Sequence, residues 1–95
     1  MKNERILVAE DDKDYRENFV RLLKLFGEED GHTVIGIAAS KAKVEALLQK
    51  GLKPTVAFVD NGFYGLSQGG QIANLIRQFS PETVIISNSM EVDFS

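Results

Sequence analysis

The strongest constraint on the fold is the alternation of two apolar patterns along the chain. Short β-branched runs occur at residues 6–9, 33–39, 55–59 and 83–86, and three longer segments between them have apolar residues at every third or fourth position. The short runs are typical of strands buried on both faces, and the longer segments are typical of amphipathic helices. The order β-α-β-α-β-α-β predicts an α/β fold with a parallel sheet and right-handed crossovers.

Length and composition limit the kind of protein this chain can be. With 95 residues, of which 43% are hydrophobic, we expect a single domain over residues 1–95. The absence of cysteine excludes disulfides, thiolate metal sites and cysteine nucleophiles. A net charge of -3 argues against a nucleic-acid partner. No apolar run is long enough to cross a bilayer and no signal-peptide core follows the N-terminus, so we expect a cytoplasmic protein without membrane contact.

Each predicted helix has its own start signal or apolar stripe. Asp12 and Asp14 are both candidate N-caps for the first helix, and Glu17 would complete a capping box with Asp14. Ser40 is the predicted cap of the second helix. The stripe of the first helix consists of Tyr15, Phe19, Leu22, Leu23 and Phe26, and that of the third helix consists of Ile72, Leu75, Ile76 and Phe79.

Glycines mark two places where the backbone itself matters. Gly36 interrupts the second strand, which predicts that another group closely approaches the backbone there. Residues 61–70 contain four glycines and are predicted to form a loop long enough to carry a function. Phe63 and Tyr64 in this loop fit either a partner contact or packing over the third helix.

Acidic residues follow two of the predicted strands directly. Glu10, Asp11 and Asp12 come after the first strand, and Asp60 ends the third. Ligands of open parallel sheets bind beyond the carboxyl ends of the strands, so these carboxylates converge if the first and third strands are neighbours. Carboxylates this close repel one another unless a cation lies among them or some of them stay protonated. Mg²⁺ fits because it prefers oxygen ligands.

Each of these residues also has a simpler interpretation. The acidic run Glu10 to Asp12 could be a solvated loop whose last residue caps the following helix. Asp60 could simply end a strand at a turn, and Ser87 could be a turn residue after the fourth strand, with Ser89 as a competitor for any role of its hydroxyl. The combination of the acidic run with Asp60 at the predicted strand spacing favours the metal site.

Three segments of the chain resemble the receiver domain of two-component response regulators: residues 5–12 (RILVAEDD), 31–38 (GHTVIGIA) and 56–60 (VAFVD). The resemblance covers nearly the whole chain. It implies a flavodoxin-like, doubly wound parallel sheet of about four strands in the order 2-1-3-4 with three helices.

The resemblance also implies a role for individual residues. Asp60 would accept a phosphoryl group from a histidine kinase or phosphotransfer protein in a Mg²⁺-dependent phosphorelay. Asp11 would bind the metal directly, Glu10 would hold a metal-bound water, and Gly62 would offer its backbone carbonyl. The hydroxyl of Ser87 would bind the phosphoryl group and signal its presence to a downstream output protein. Such a domain signals rather than acting as an enzyme, apart from catalysing its own phosphorylation and dephosphorylation.

The chain departs from the family pattern in two respects. The loop after Asp60 lacks the usual Met-Pro pair. The family pattern continues into another helix, a fifth strand that bears a lysine, and a final helix, and this sequence has no match for them. Without them the fourth strand would be an uncovered sheet edge. We expect a fragment or shortened domain; the alternatives are that residues 92–95 begin a further strand or that another chain, as in a homodimer, covers the edge.

Two other functions remain open at this point. The missing lysine and the unusual loop also fit a receiver-like interaction module that is not phosphorylated. A small enzyme or cofactor-binding protein on the same sheet is a third hypothesis, but the loops have neither G-x-G-x-x-G nor a P-loop to hold phosphates.

Overall fold

The computed structural model of the protein describes residues 3–60 and 68–88. Within them strands and helices alternate, and a short 3₁₀ turn at Glu28–Asp30 precedes the second strand. The strands are β1 (Arg5–Ala9), β2 (Thr33–Ala38), β3 (Val56–Asp60) and β4 (Val84–Asn88), and the helices are α1 (Lys13–Gly27), α2 (Lys41–Gln49) and α3 (Gln68–Phe79).

The four strands form one parallel sheet in the order β2-β1-β3-β4, which confirms the predicted fold class. In the central pair, Ala9 of β1 lies beside Val59 of β3. On the other side of β1, Ala9 lies beside Ala38 of β2. Because the strands are parallel and in this register, the residues after Ala9 and Val59 reach the same edge of the sheet together.

Helices pack on both faces of the sheet, so successive strand residues are buried on opposite sides. Leu7 faces α2 and α3, whereas Val8 faces α1. The first face holds the larger core, made of Leu7, Ala9, Ala38, Val44, Leu48, Ala57, Val59, Ile72, Leu75 and Ile76. The α1 face holds Ile6, Val8 and Val20, with Phe19, Leu23, Val34 and Phe58 packed against them. This explains why the strands are apolar at consecutive positions.

The first turn of α1 is capped by Asp12. Its Oδ1 accepts a hydrogen bond of 2.8 Å from the backbone N–H of Tyr15. The predicted capping box of Asp14 with Glu17 is wrong, because Asp14 already lies inside the first turn of the helix. Asp12 is the better cap because it precedes the first helical residue and its carboxylate reaches the third one.

The apolar stripe of α1 is rotated relative to the prediction. Val20 is the buried residue of this helix, and Phe19 and Leu23 pack beside it, whereas Leu22 and Phe26 are 51% and 71% exposed. In the described part of the chain α1 is the one helix on this face of the four-stranded sheet, and it covers only the middle of the face. The flanks of α1, with Leu22 and Phe26, therefore remain open to solvent.

The other two helices follow the predicted capping and apolar patterns closely. Ser40 caps α2 as predicted, since its Oγ accepts a 3.1 Å hydrogen bond from the N–H of Lys43. Helix α3 begins at Gln68, so the predicted loop over 61–70 is wrong in its last three residues, and residues 61–67 lie outside the described part. Two glycines cost helix stability, but burying Ile72 and Ile76 offsets that cost.

Among the described residues β4 pairs only with β3 and is an edge strand. Val84 and Ile86 on its α1 side are 59% and 41% exposed. This part of the structure thus has the uncovered apolar edge that the sequence predicts. No helix in the described ranges has an apolar stretch long enough to cross a membrane.

A side chain closely approaches the backbone at Gly36, as predicted. A Cβ atom placed there would lie 2.9 Å from Cδ2 of Leu52 and 3.1 Å from Cδ1 of Leu7. Both distances are shorter than van der Waals contact, and Leu7 is fully buried. Packing against the ends of these two leucine side chains therefore favours glycine at position 36, and no left-handed backbone conformation is involved.

We expect Gly36→Ala to lower the free energy of unfolding by about 1–3 kcal/mol, because the added methyl overpacks the core against Leu52 and Leu7. The matched control is Gly70→Ala in the first turn of α3, where a Cβ meets no heavy atom of the described residues within 4 Å. That control should be neutral or stabilising by up to about 1 kcal/mol. Urea denaturation of the two variants measures the difference, and equal stabilities would contradict the packing argument.

Candidate functional site

Three carboxylates meet at the carboxyl edge of the central strands. Glu10 directly follows β1, Asp60 is the last residue of β3, and Asp11 comes next after Glu10. One carboxylate oxygen of each lies within 4.8 Å of the others. We call Glu10, Asp11 and Asp60 the acidic cluster. The sequence predicted that these residues would converge, and the structure brings them together.

Two hydrogen bonds to backbone groups hold Glu10 within the acidic cluster, one through its main chain and one through its side chain. Its N–H donates to the carbonyl oxygen of Ala38 at 2.9 Å, which extends the β1–β2 ladder by one residue. Its Oε2 accepts a 3.1 Å hydrogen bond from the N–H of Asp12. Glu10 is therefore held through both its main chain and its side chain. Asp12 has two roles, because its side chain caps α1 and its N–H donates to the Glu10 carboxylate.

Two of the three carboxylates are buried. Glu10 is 3% exposed and Asp60 is 5% exposed, whereas Asp11 is half-buried. Burial raises the pKa of Glu10 from 4.5 to about 7, and the hydrogen bonds and negative charge of the neighbouring carboxyls add to the rise. The N–H of Asp12 acts in the opposite direction. The site thus holds one carboxyl whose protonation changes near neutral pH.

Arg16 on α1 hydrogen-bonds to the main chain that carries Glu10 and Asp11. Its Nη1 donates to the carbonyl oxygens of Glu10, at 3.0 Å, and of Asp11, at 3.4 Å. The guanidinium orients the main chain of the cluster and brings a positive charge close to it. Arg16 was not among the predicted site residues. The sequence signal for it is an arginine in the first helical turn after an acidic run, where the side chain can reach back to the loop.

The donor set suits a hard divalent cation. All three groups present carboxylate oxygens, which are the ligands that Mg²⁺ and Ca²⁺ prefer. Two buried carboxyls beside a third raise the local electrostatic energy, and a cation lowers that energy most effectively. Glu10, Asp11 and Asp60 therefore fit a metal by position, burial and chemistry.

Ser87 is the remaining predicted site residue in the described part of the chain. Ser87 is exposed on β4 beside Val59, one register position before the partner of Asp60, so it lies at the same end of the sheet as the acidic cluster. Its role as a phosphoryl-binding hydroxyl stays a prediction. Gly62 and Ser89 lie outside the described residues.

The raised pKa of Glu10 makes stability depend on pH. Between pH 4.5 and about 7 the unfolded chain has lost the Glu10 proton while the folded chain keeps it, so the free energy of unfolding falls as pH rises through this window. At 1.36 kcal/mol for each pKa unit, the loss is on the order of 3 kcal/mol at most. In metal-free buffer Glu10→Gln should therefore be more stable than the natural chain at pH 8, by about 1–3 kcal/mol, and less sensitive to pH.

Urea denaturation at pH 5, 6, 7 and 8 with a chelator present measures this effect. The control is Glu45→Gln on the exposed side of α2, which should leave the pH dependence unchanged. A Glu10→Gln variant that is equally destabilised at every pH would show that the carboxylate is not under electrostatic strain.

Solved structures provide the relatives of this chain. The signal receiver domain of the response regulator NarL from Mycobacterium tuberculosis is 29% identical, with a TM-score of 0.75; the match covers 99% of this chain and 72% of that one. A LuxR-family two-component response regulator from Aurantimonas sp. SI85-9A1 is 23% identical, with a TM-score of 0.77 and coverage of 96% of this chain and 61% of that chain.

A third relative was solved with ligands. It is a response regulator protein from Burkholderia pseudomallei with a phosphorylated aspartic acid, a calcium ion and citrate; it is 21% identical with a TM-score of 0.73, and the match covers 97% of this chain and 50% of that chain. The present chain spans 61% of the length of the Aurantimonas relative and 50% of the length of the Burkholderia pseudomallei relative. No protein-family model matches the chain, and comparison with curated proteins finds no significant match.

The likeness to these structures extends over almost the whole chain, with TM-scores of 0.77 and 0.75 for the Aurantimonas and NarL structures. The described part of this chain therefore has the fold of response-regulator receiver domains, with four parallel strands and three helices.

Proposed function

We propose that this domain is the phosphoacceptor of a Mg²⁺-dependent phosphorelay, with Asp60 receiving a phosphoryl group from a histidine kinase or a phosphotransfer protein. The observation that carries the proposal is the meeting of Glu10, Asp11 and Asp60 within 4.8 Å at the carboxyl edge of the sheet. In this role the domain is a cytoplasmic signalling module and not a conventional enzyme. Its output is a contact with a downstream protein or domain.

Asp60 supplies the nucleophile. A carboxylate oxygen of Asp60 attacks the phosphorus of the donor phosphohistidine and forms an O–P bond, giving an acyl phosphate. The P–N bond breaks at the same time, and its electron pair stays on the imidazole nitrogen, which takes up a proton. Asp60 is the last residue of β3 and pairs with Asn88 of β4. This pairing fixes its main chain at the edge of the sheet.

The acidic cluster supplies the ligands for the metal. Asp11 and Asp60 would bind Mg²⁺ directly, Glu10 would hold a metal-bound water, and Gly62 would contribute a carbonyl oxygen. The ion's contribution is to neutralise the negative charge of the phosphoryl oxygens as the carboxylate approaches. Because the pKa of Glu10 is raised to about 7 in the metal-free chain, a cation beside it would favour its ionised form.

Ser87 is the proposed sensor of the phosphoryl group. It lies near the end of β4, in register with Val59, and its side chain is accessible. A hydroxyl can donate a hydrogen bond to a phosphoryl oxygen on Asp60 once that group is present. The Burkholderia pseudomallei relative carries a phosphorylated aspartic acid and a calcium ion, which supports the combination of an aspartyl phosphate with a divalent cation in this fold.

We expect Mg²⁺ to raise the melting temperature of the natural chain, because binding to the folded state alone stabilises it by mass action. At a Mg²⁺ concentration a hundred times the dissociation constant the gain is about 2.7 kcal/mol. Asp11→Asn should lose most of this gain, whereas Asp14→Asn, an exposed change on α1, should keep it. Thermal melts with and without MgCl₂ measure the effect; equal gains in both variants would argue against metal binding at the acidic cluster.

Intact-mass spectrometry tests the phosphoacceptor itself. After incubation with MgCl₂ and acetyl phosphate, the natural chain should gain one phosphate-sized increment of mass, and Asp60→Asn should gain none. Asp14→Asn is the matched control and should react like the natural chain. Beryllofluoride binding is the second measurement, because it detects a working site even when the acyl phosphate is short-lived.

The outcome also separates the proposal from its main alternative. If the natural chain binds Mg²⁺ but neither gains phosphate nor binds beryllofluoride, the phosphoacceptor function is wrong. The receiver-like interaction module, with partner binding insensitive to Asp60→Asn, would then be the better description.

A further inference from the structure

A groove of about 410 Å³ lies between α1 and the edge strand β2, and none of the three carboxylates of the acidic cluster lines it. Its apolar part is formed by Val20 and Leu25 of α1 and Ile37 of β2. Val20 is buried and forms the floor, whereas Leu25 and Ile37 are exposed at 62% and 41%. This volume is within the range of ligand pockets and accommodates one or two large apolar side chains.

The rim of the groove is basic. Arg16, Arg21 and Lys24 line it, and the acidic residue among the lining side chains is Glu17. Glu17 also lies 4.0 Å from Lys13, which offsets its charge further. A cluster of three cations on a chain with a net charge of -3 is a local reversal of sign. The rim therefore attracts carboxylates and repels basic groups.

The strand side of the groove is an open sheet edge. Among the described residues β2 pairs only with β1, so the outer main chain of β2 faces away from the sheet. An edge strand beside an apolar groove can bind an extended or helical protein segment, with main-chain or side-chain contacts at the edge. The groove thus combines an apolar floor, a basic rim and an open main-chain edge.

We propose that this α1–β2 groove binds an acidic amphipathic segment of a partner protein, with one or two large apolar side chains on Val20 and Ile37 and flanking carboxylates on Arg21 and Lys24. Charge complementarity selects this occupant. A nucleic acid or an anionic membrane would meet only three cations on a negatively charged protein, and neither would fill the apolar floor.

The groove and the phosphoacceptor chemistry can be tested separately. Arg16 touches both regions, since it lines the groove and donates to the carbonyl oxygens of Glu10 and Asp11. The residues proposed to bind the segment, however, do not include Asp60. Asp60→Asn should therefore bind the segment as well as the natural chain does, and failure of the phosphoacceptor proposal would leave this inference intact.

The test uses a fluorescein-labelled twelve-residue peptide of glutamates and leucines, with the leucines at helical spacing, and fluorescence anisotropy at low and at physiological salt. We expect saturable binding to the natural chain that weakens with salt. Arg21→Glu combined with Lys24→Glu should weaken it about tenfold or more. The charge-matched control is Lys43→Glu combined with Lys53→Glu, two exposed lysines outside the groove, and it should bind within about twofold of the natural chain.

A second matched pair of variants tests the apolar part of the groove. Ile37→Asn should weaken peptide binding several-fold, whereas Ile86→Asn, on the opposite edge strand and also 41% exposed, should not. Circular dichroism verifies that each variant is folded.

The inference is overturned if the peptide does not bind up to about 1 mM, if both double charge variants weaken binding equally, or if a peptide with lysine in place of every glutamate binds as well. Binding of phosphatidylserine vesicles that is lost with Arg21→Glu and Lys24→Glu, without peptide binding, would assign the groove to a membrane instead.

Discussion

The parallel pairing of β1 with β3 is the interaction on which the rest of the structure depends. Ala9 lies beside Val59, so the chain leaves both strands at the same level of the sheet and places Glu10 and Asp60 side by side. This position is unfavourable for an ionised Glu10, because burial and the neighbouring carboxyl of Asp60 both raise its pKa. The backbone ladder and the two apolar cores hold the strands in this register and so impose the contact.

Helix α1 both supports the acidic cluster and determines which parts of the sheet stay exposed beside it. Its first turn is tied to the acidic cluster from two directions, by Asp12 as helix cap and by Arg16, whose guanidinium binds the carbonyl oxygens of Glu10 and Asp11. Within residues 3–60 and 68–88 the same helix is the one helix on its face of the sheet, and it covers only the central strands. It therefore leaves an apolar strip on each flank: Ile37 with the basic groove on one side, and Val84 with Ile86 on the other.

Patterns confined to one element were predictable, and those that depend on neighbouring elements were less so. The four strands, the cap at Ser40 and the close approach at Gly36 follow from local residue types, and each agrees with the structure. The start of α3 could not be read from the sequence, since glycines favour a loop locally and only the burial of Ile72 and Ile76 favours a helix. For the same reason the exposure of Leu22 and Phe26 depends on how much of the sheet one helix can cover.

The sequence by itself determined the kind of fold and the residues able to carry chemistry. Alternating apolar periods specify an α/β sheet, and acidic residues directly after two strands specify carboxylates at its carboxyl edge. Only the tertiary structure decided that three of them come within 4.8 Å, that burial raises the pKa of Glu10 to about 7, and that Arg16 reaches back to their main chain. The physical reason is that the distances between these side chains, their desolvation and the charges around them depend on groups from distant parts of the chain. The register of the strands determines which of these groups meet.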